Sequence, residues 1–444
     1  MIENFIKNKL IIKNKVILLI FFFCVTRIII YNYFKIEISS PTYTYHLLDI
    51  DLLKNDLFNS LIYLHSQPLL WNLFNGIVVK IANGNIELIS KFFNIYHYFL
   101  TILIIYFSIR ILREFYFNKK IELFIFFFVS INPSIIFFEN IFSYAHTTLF
   151  FFTLITFNII KLFKTNNDIY EIYIYLNILI LSLIWSLFTP LLLFLIFLSI
   201  RFLRKKSKKV FFIFTLIFII SLTPMIKNKL IFGVLVTSSK SGHDFGTVFY
   251  DWRNHCADPE KEMKIYEKKY YEEYKRSFTH PSLVGEKSRY NNLGIILIGK
   301  ECFNITLKKI IKNPLIYFDG RFRAFLASHG KFAFDYVYPN PNGWKKYYEN
   351  ISNLYKDKKI KLSRQIIVFA IKMYIYFTIL HFIFFRKINN KLKNGLLVSS
   401  IPYIYLLGVG TLAAGTEQER ILYTGFVVNI LFFIILLRKI KFRF

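Results

Sequence analysis

Residues 46–76 gather the side chains best suited to acid–base chemistry. In order they present Asp49, Asp51, Asp56, His65, Gln67 and Pro68, followed by the apolar stretch Leu69-Leu-Trp-Asn-Leu-Phe-Asn-Gly76. A carboxyl group between two apolar runs sits at a bilayer surface, where partial desolvation raises its pKa and suits it to act as a base. Asp49, Asp51 and Asp56 are therefore candidate bases, and His65 and Gln67 belong to the polar turn that follows them. A second role stays open for Asp51 and Asp56, as solvated charges on a juxtamembrane helix, with His65 fixing a turn. Two further places carry chemistry. Glu139 closes the apolar run 121–138, where it either orients a base or an acceptor or anchors the run at the interface. Glu417-Gln418-Glu419-Arg420 opens the last apolar run. A guanidinium there can grip a phosphate bidentately, or snorkel and hold a helix end. Arg321 and Arg323 are a further basic pair, either facing the same site or solvated at the surface.

The elements that position these residues are set by composition. The 444 residues are 55% hydrophobic and 20% aromatic, against roughly 45–50% apolar in an average soluble domain. Lys+Arg number 57 against 27 Asp+Glu, a formal charge of +30. The basic residues are parcelled between apolar runs rather than clustered on one face, which excludes a nucleic-acid binder. Apolar runs occur near 16–34, 89–109, 121–138, 144–163, 171–187, 189–203, 210–226, 366–385, 394–411 and 421–437. Basic clusters at 7–15, 110–120, 201–209, 386–393 and 438–443 fall between them, and such clusters stay on the cytoplasmic side. The expected fold class is an all-α polytopic integral membrane protein of about ten transmembrane helices with a small outer-face soluble insert. Residues 68–83 are short for a span and read as an interfacial or re-entrant helix; if they cross, the count is about eleven.

Three parts follow: an N-terminal transmembrane catalytic module over 1–226 with an outer-face loop at 35–88, an outer insert over 227–365, and C-terminal transmembrane helices over 366–444. The first run carries Arg27 and no small-residue cleavage site, so it reads as a retained anchor. Within the insert, Pro259 to Lys275 reads as an exposed helix. Cys302 to Ile311 reads as amphipathic, with Phe303, Leu307, Ile310 and Ile311 on one side, facing either anionic headgroups or the insert's own core. Cys256 and Cys302 offer one disulfide. No metal-ligand spacing or cofactor fingerprint is present, so neither is expected. Asn304-Ile-Thr306 and Asn350-Ile-Ser352 match the N-glycosylation acceptor pattern.

The order of these pieces resembles a known superfamily. A first span, an outer loop with an early aspartate, then His65-Ser-Gln-Pro68-Leu leading into an apolar helix with glycine is similar to the GT-C polytopic glycosyltransferases that use lipid-linked sugars, among them protein O-mannosyltransferases and the lipid A aminoarabinose transferase. Asn132-Pro133-Ser134 through Glu139 and Glu417 to Arg420 agree with it. The chain departs from the commoner pattern in Asp49-Ile-Asp51 where Asp-Glu is frequent, and in Pro-Leu-Leu where Pro-Pro-Leu is frequent. The resemblance implies a polyprenyl-phosphate sugar donor and a glycan, lipid or protein acceptor. It also implies that Asp49, with Asp51 second, is the base, that His65, Gln67, Glu139, Glu417 and Arg420 are substrate contacts, and that the site faces outward from a bacterial inner or archaeal plasma membrane. The rival class is a transporter or flippase, which usually shows two related halves and binding residues near mid-membrane.

Overall fold

The computed structural model describes residues 19–30, 32, 47–204, 208–246, 267–273, 275, 278–329, 390–413 and 418–441. Among these residues every regular element is a helix. The first, α1, is Leu19–Ile30. It is followed by α2 (Ile50–Asn55), α3 (Leu57–Ile62), α4 (Leu69–Ile81), α5 (Ile86–Glu114), α6 (Lys119–Ile131), α7 (Pro133–Glu139), α8 (Ala145–Thr165) and α9 (Asp168–Ile184). After these come α10 (Pro190–Leu203), α11 (Lys208–Ser221), α12 (Thr223–Phe232), α13 (Ser241–Gly246), α14 (Gly294–Lys312), α15 (Pro314–His329), α16 (Asn390–Ala413) and α17 (Gln418–Lys441).

Short polar side chains set many of these boundaries. Asn85, Asn118, Asn132 and Asn167 each accept a hydrogen bond from a backbone N–H of the helix they precede, satisfying donors that a first turn leaves open. Among the described residues three stretches are long and apolar enough to cross a membrane: Ile86–Glu114, Ala145–Thr165 and Lys208–Phe232. The helices Leu19–Ile30, Leu69–Ile81, Pro190–Leu203 and Tyr423–Phe432 are apolar but shorter. At 13 residues, α4 reaches about 20 Å, short of a ~30 Å hydrocarbon core. The run 121–138, expected as one span, is two helices. Asn132 is extended (φ −65°, ψ 122°) and Pro133 follows it, and a proline supplies no N–H to continue a helix while pushing its predecessor out of the helical region. The expected span 366–385 lies outside the described residues.

The bundle is organised around α8, which packs against α5, α9, α16 and α17. One core runs from Phe23 and Trp71 through Ile104, Phe152 and Ile178 to Leu431. The far ends of these helices are tied by ion pairs, Glu114 with Lys161 and Lys164, and Glu171 with Arg201 and Arg204. The insert has its own small core of Phe232, Tyr270, Leu283, Leu293, Ile296, Ile298 and Cys302. There α13 and α14 touch backbone to backbone, since a Cβ on Gly242 would stand 2.0 Å from the Gly299 carbonyl oxygen. Cys302 is disulfide-bonded; Cys256, the sequence's candidate partner, lies outside the described residues, as does most of the helix expected over Pro259 to Lys275. On α14, Phe303, Leu307 and Ile311 are exposed, so this side of the helix turns away from the insert's core.

Candidate functional site

The segment 47–68 and the segment 280–291 meet along one seam, and all three early carboxylates lie on it. Asp49 caps α2: its Oδ1 accepts from the Asp51 N–H at 3.0 Å, and its Oδ2 accepts from Arg289 Nη2 at 3.0 Å. Asp51 pairs with Lys287 and accepts from Asn55 Nδ2 at 2.5 Å. Asp56 Oδ2 meets His280 Nε2 at 2.7 Å. Each partner comes from the insert segment 280–289, more than 200 residues away in the chain.

The seam ranks its carboxylates. Lys287 holds the Asp51 carboxyl below the usual range, and its side chain is half-exposed at 52%, so it matches a solvated charge better than a base. Asp49 is more enclosed, at 19%. Its partner Arg289 is held at φ 44°, inside a 3-10 turn over Glu286–Asn291. A non-glycine residue there stores backbone strain of about 1–3 kcal/mol, a feature that gathers at functional sites.

His65 lies on the same segment. Asn291 Oδ1 accepts from the His65 and Ser66 N–H groups at 2.8 and 3.1 Å, and Asn291 Nδ2 donates to Tyr63 O and Ser282 O, both at 3.0 Å. His65 is completely buried against Phe232, with Nδ1 2.6 Å from Ser239 Oγ, while Lys227 donates to the Leu64 carbonyl oxygen beside it. Burial, helped by Lys227, pushes the imidazole down to about 3, so it stays neutral. Its Nε2 and the Gln67 Oε1 are buried without a hydrogen-bond partner among the described residues.

No family model, curated protein or solved structure matches the chain. The site is therefore read from its own geometry.

Glu139 stands elsewhere, inside the helix bundle. It is completely buried and pairs with Arg27 at 2.7 Å. Arg27 also donates to the Ser130 carbonyl oxygen and lies 4.3 Å over the Phe23 ring. Thr101 donates to Glu139 Oε1 and meets His146 Nε2 at 2.9 Å; His146 Nδ1 meets the Tyr423 hydroxyl at 2.7 Å; His97 Nδ1 donates to the Glu139 carbonyl oxygen at 2.9 Å. Six helices, α1, α5, α6, α7, α8 and α17, contribute to this network.

The seam thus unites Asp49, Asp51 and His65, and Glu139 belongs to the interior. Arg321 is neither solvated nor part of the seam: 1% exposed, it donates to the Phe245 carbonyl oxygen at 2.7 Å and lies over the Tyr317 ring. Glu417 lies outside the described residues, and so do the side chains of Arg323, Glu419 and Arg420. Among the described residues no group of three or more His, Cys, Asp or Glu side chains is placed to hold a metal. Sequence reasoning missed Arg289, Lys287, Thr101, His97, His146 and Tyr423. The histidines carried a readable signal, since ionisable groups within apolar runs mark function or buried pairing. The insert cations carried none.

Proposed function

We propose that the chain is a multi-pass membrane glycosyltransferase that moves a sugar from a polyprenyl-phosphate donor to a hydroxyl on a glycan, lipid or protein acceptor. The observation that carries this reading is the Asp49–Arg289 pair. A carboxylate able to act as a base and a guanidinium able to hold phosphate stand 3.0 Å apart where the first outer segment meets the insert. A donor phosphate that takes Arg289, with Lys287 beside it, releases Asp49 from its ion pair. Asp49 then accepts the acceptor hydroxyl's proton as the sugar–phosphate bond breaks, and the two cations stabilise the departing phosphate. His65 Nε2 and Gln67 Oε1 supply unused polar atoms for the sugar, and Glu417 and Arg420 remain candidates for the phosphate from the other side. Asp51 stays the alternative base.

In this reading about ten spans place the basic loops in the cytoplasm and the seam outside, in a bacterial inner or archaeal plasma membrane. The exposed side of α14, with Lys308, Lys309 and Lys312 nearby, rests on anionic headgroups. Native mass spectrometry of the protein in mild detergent tests the donor class. A co-purifying polyprenyl phosphate or its sugar conjugate, depleted in Arg289→Ala and in Arg420→Ala, is the expected result; bulk phospholipid alone overturns it.

A transporter or flippase is the second reading, and the Arg27–Glu139 pair favours it, because ionisable pairs inside a bundle line ion and substrate paths in such proteins. Proteoliposomes separate the two: translocation of a lipid-linked anion without any acceptor belongs to the flippase alone.

A further inference from the structure

The direction of the interior network is set by the tautomer of His146. Thr101 Oγ1 carries one hydrogen. Two of its neighbours, the His97 carbonyl oxygen at 3.2 Å and the Glu139 carboxylate, only accept. In the tautomer of His146 that carries its hydrogen on Nε2, Thr101 Oγ1 receives a bond from His146 and gives its own hydrogen to Glu139. The His146 Nδ1 lone pair then takes the hydrogen of Tyr423. Every link points from the phenol towards the carboxylate.

We propose that Tyr423, His146, Thr101 and Glu139 form a proton relay that ends on Glu139. A proton arriving at the Tyr423 oxygen releases the phenol hydrogen to His146 Nδ1. The Nε2 hydrogen of His146 passes to Thr101 Oγ1, and the Thr101 hydrogen passes to Glu139 Oε1. One proton enters, the carboxylate becomes a carboxylic acid, and every intermediate group keeps its number of hydrogens. Arg27, itself held by Ser130 and Phe23, keeps Glu139 charged at rest and so ready to receive. The titratable groups facing Glu139 are Arg27 from α1, His97 from α5, His146 from α8 and Tyr423 from α17. His97 donates through Nδ1, leaving Nε2 as a lone pair. That atom and Glu139 Oε2 are buried without a partner among the described residues; once Glu139 is protonated, its acid hydrogen on Oε2 can pass on to a water or substrate oxygen, which gives the relay an outlet. The relay does not involve the Asp49 seam, and it stands whether or not the seam transfers sugars.

The probe is the proton itself. In the full chain in lipid nanodiscs, a light-triggered acid jump is followed by time-resolved infrared spectroscopy of the carboxylic C=O stretch, and Glu139→Gln identifies the band. Thr101→Val and Tyr423→Phe, which keep side-chain volume but remove a hydroxyl, should slow that band by roughly ten- to hundredfold. Thr101→Ser, which restores the hydroxyl, should return it to the wild-type rate. A network that serves only packing would shift melting temperatures and leave the band's rate unchanged. The relay is overturned if no band lost in Glu139→Gln appears between about pH 4 and pH 9, or if Thr101→Val and Tyr423→Phe respond as fast as the unaltered protein.

Discussion

The seam and the interior network are both built from paired charges, but they hold them in opposite surroundings. On the seam, Asp49, Asp51 and Asp56 stand on two helices of 6 residues each and their connections; Asp49 and Asp51 each pair with one cation and Asp56 meets the His280 imidazole, all in reach of water. In the interior, Glu139 is completely enclosed, and the side chains that bond it come from two other helices, α1 and α5. Water makes the seam's pairs cheap to open and nearly neutral for stability, whereas the interior pair cannot be broken without leaving a bare charge. A binding site needs contacts that exchange; a relay needs contacts that persist. The two regions divide those duties.

The largest expected effect follows from breaking the interior. Glu139→Ala strands Arg27 and should cost about 3–5 kcal/mol of stability, read as a lowered unfolding midpoint in detergent. Restoring the midpoint with Arg27→Met in the same chain would sharpen the contrast, since replacing both partners by apolar groups removes the stranded charge. Asn291→Ala comes next. It deprives the His65 and Ser66 N–H groups of their acceptor and should cost about 1–3 kcal/mol, seen as faster hydrogen exchange at those two amides.

Asp49→Asn should leave the melting temperature nearly unchanged, because asparagine caps a helix as well as aspartate and the exposed pair contributes about 1 kcal/mol or less. Activity should nevertheless fall by about 10²–10⁴-fold. A large loss of stability would erase the distinction between the regions, and retained activity with loss in Asp51→Asn would move the base by two positions.

Acid gives the smallest and most specific effects. His65 titrates near 6.5 unfolded and about 3 folded. Its neutral burial contributes full stability above pH 6.5 and progressively less as pH falls towards 3, since the unfolded chain then binds the extra proton. His65→Gln should flatten that limb of the melting curve. Asp51 is also depressed, so the contribution of its pair with Lys287 is present above the ordinary 3.8 and is lost only as pH drops through the lowered value. Asp51→Asn should lower the melting temperature slightly above that range, and the difference should vanish at the acid end.

Much of the helical order was legible in local signals. Asn85, Asn118 and Asn167 announce helix starts, and Asn132-Pro133 announced a polar turn, although its position in mid-run, rather than at the end, emerged only from the structure. Residues 68–83 were legible as too short to cross because length alone decides that. The candidate site was half legible. Asp49 and His65 drew notice through a contiguous polar stretch, but Arg289 and Asn291 carry no local mark among many basic and amide residues, and only tertiary packing brings them to the seam. The interior network was hidden for the opposite reason. Arg27, Thr101, His146 and Tyr423 each lie alone in a different apolar run, and a pattern shared by separate helices leaves no spacing to read.

The outward-turned Phe303, Leu307 and Ile311 have a mechanical consequence. The helix that carries them begins at Gly294, directly after the segment that supplies Lys287, Arg289 and Asn291. On the proposed placement at headgroup level, this helix works as an outrigger that fixes the height at which that segment rides. Acyl-chain length then becomes a control on the seam: a thicker bilayer lifts the cations relative to Asp49, and a thinner one lowers them.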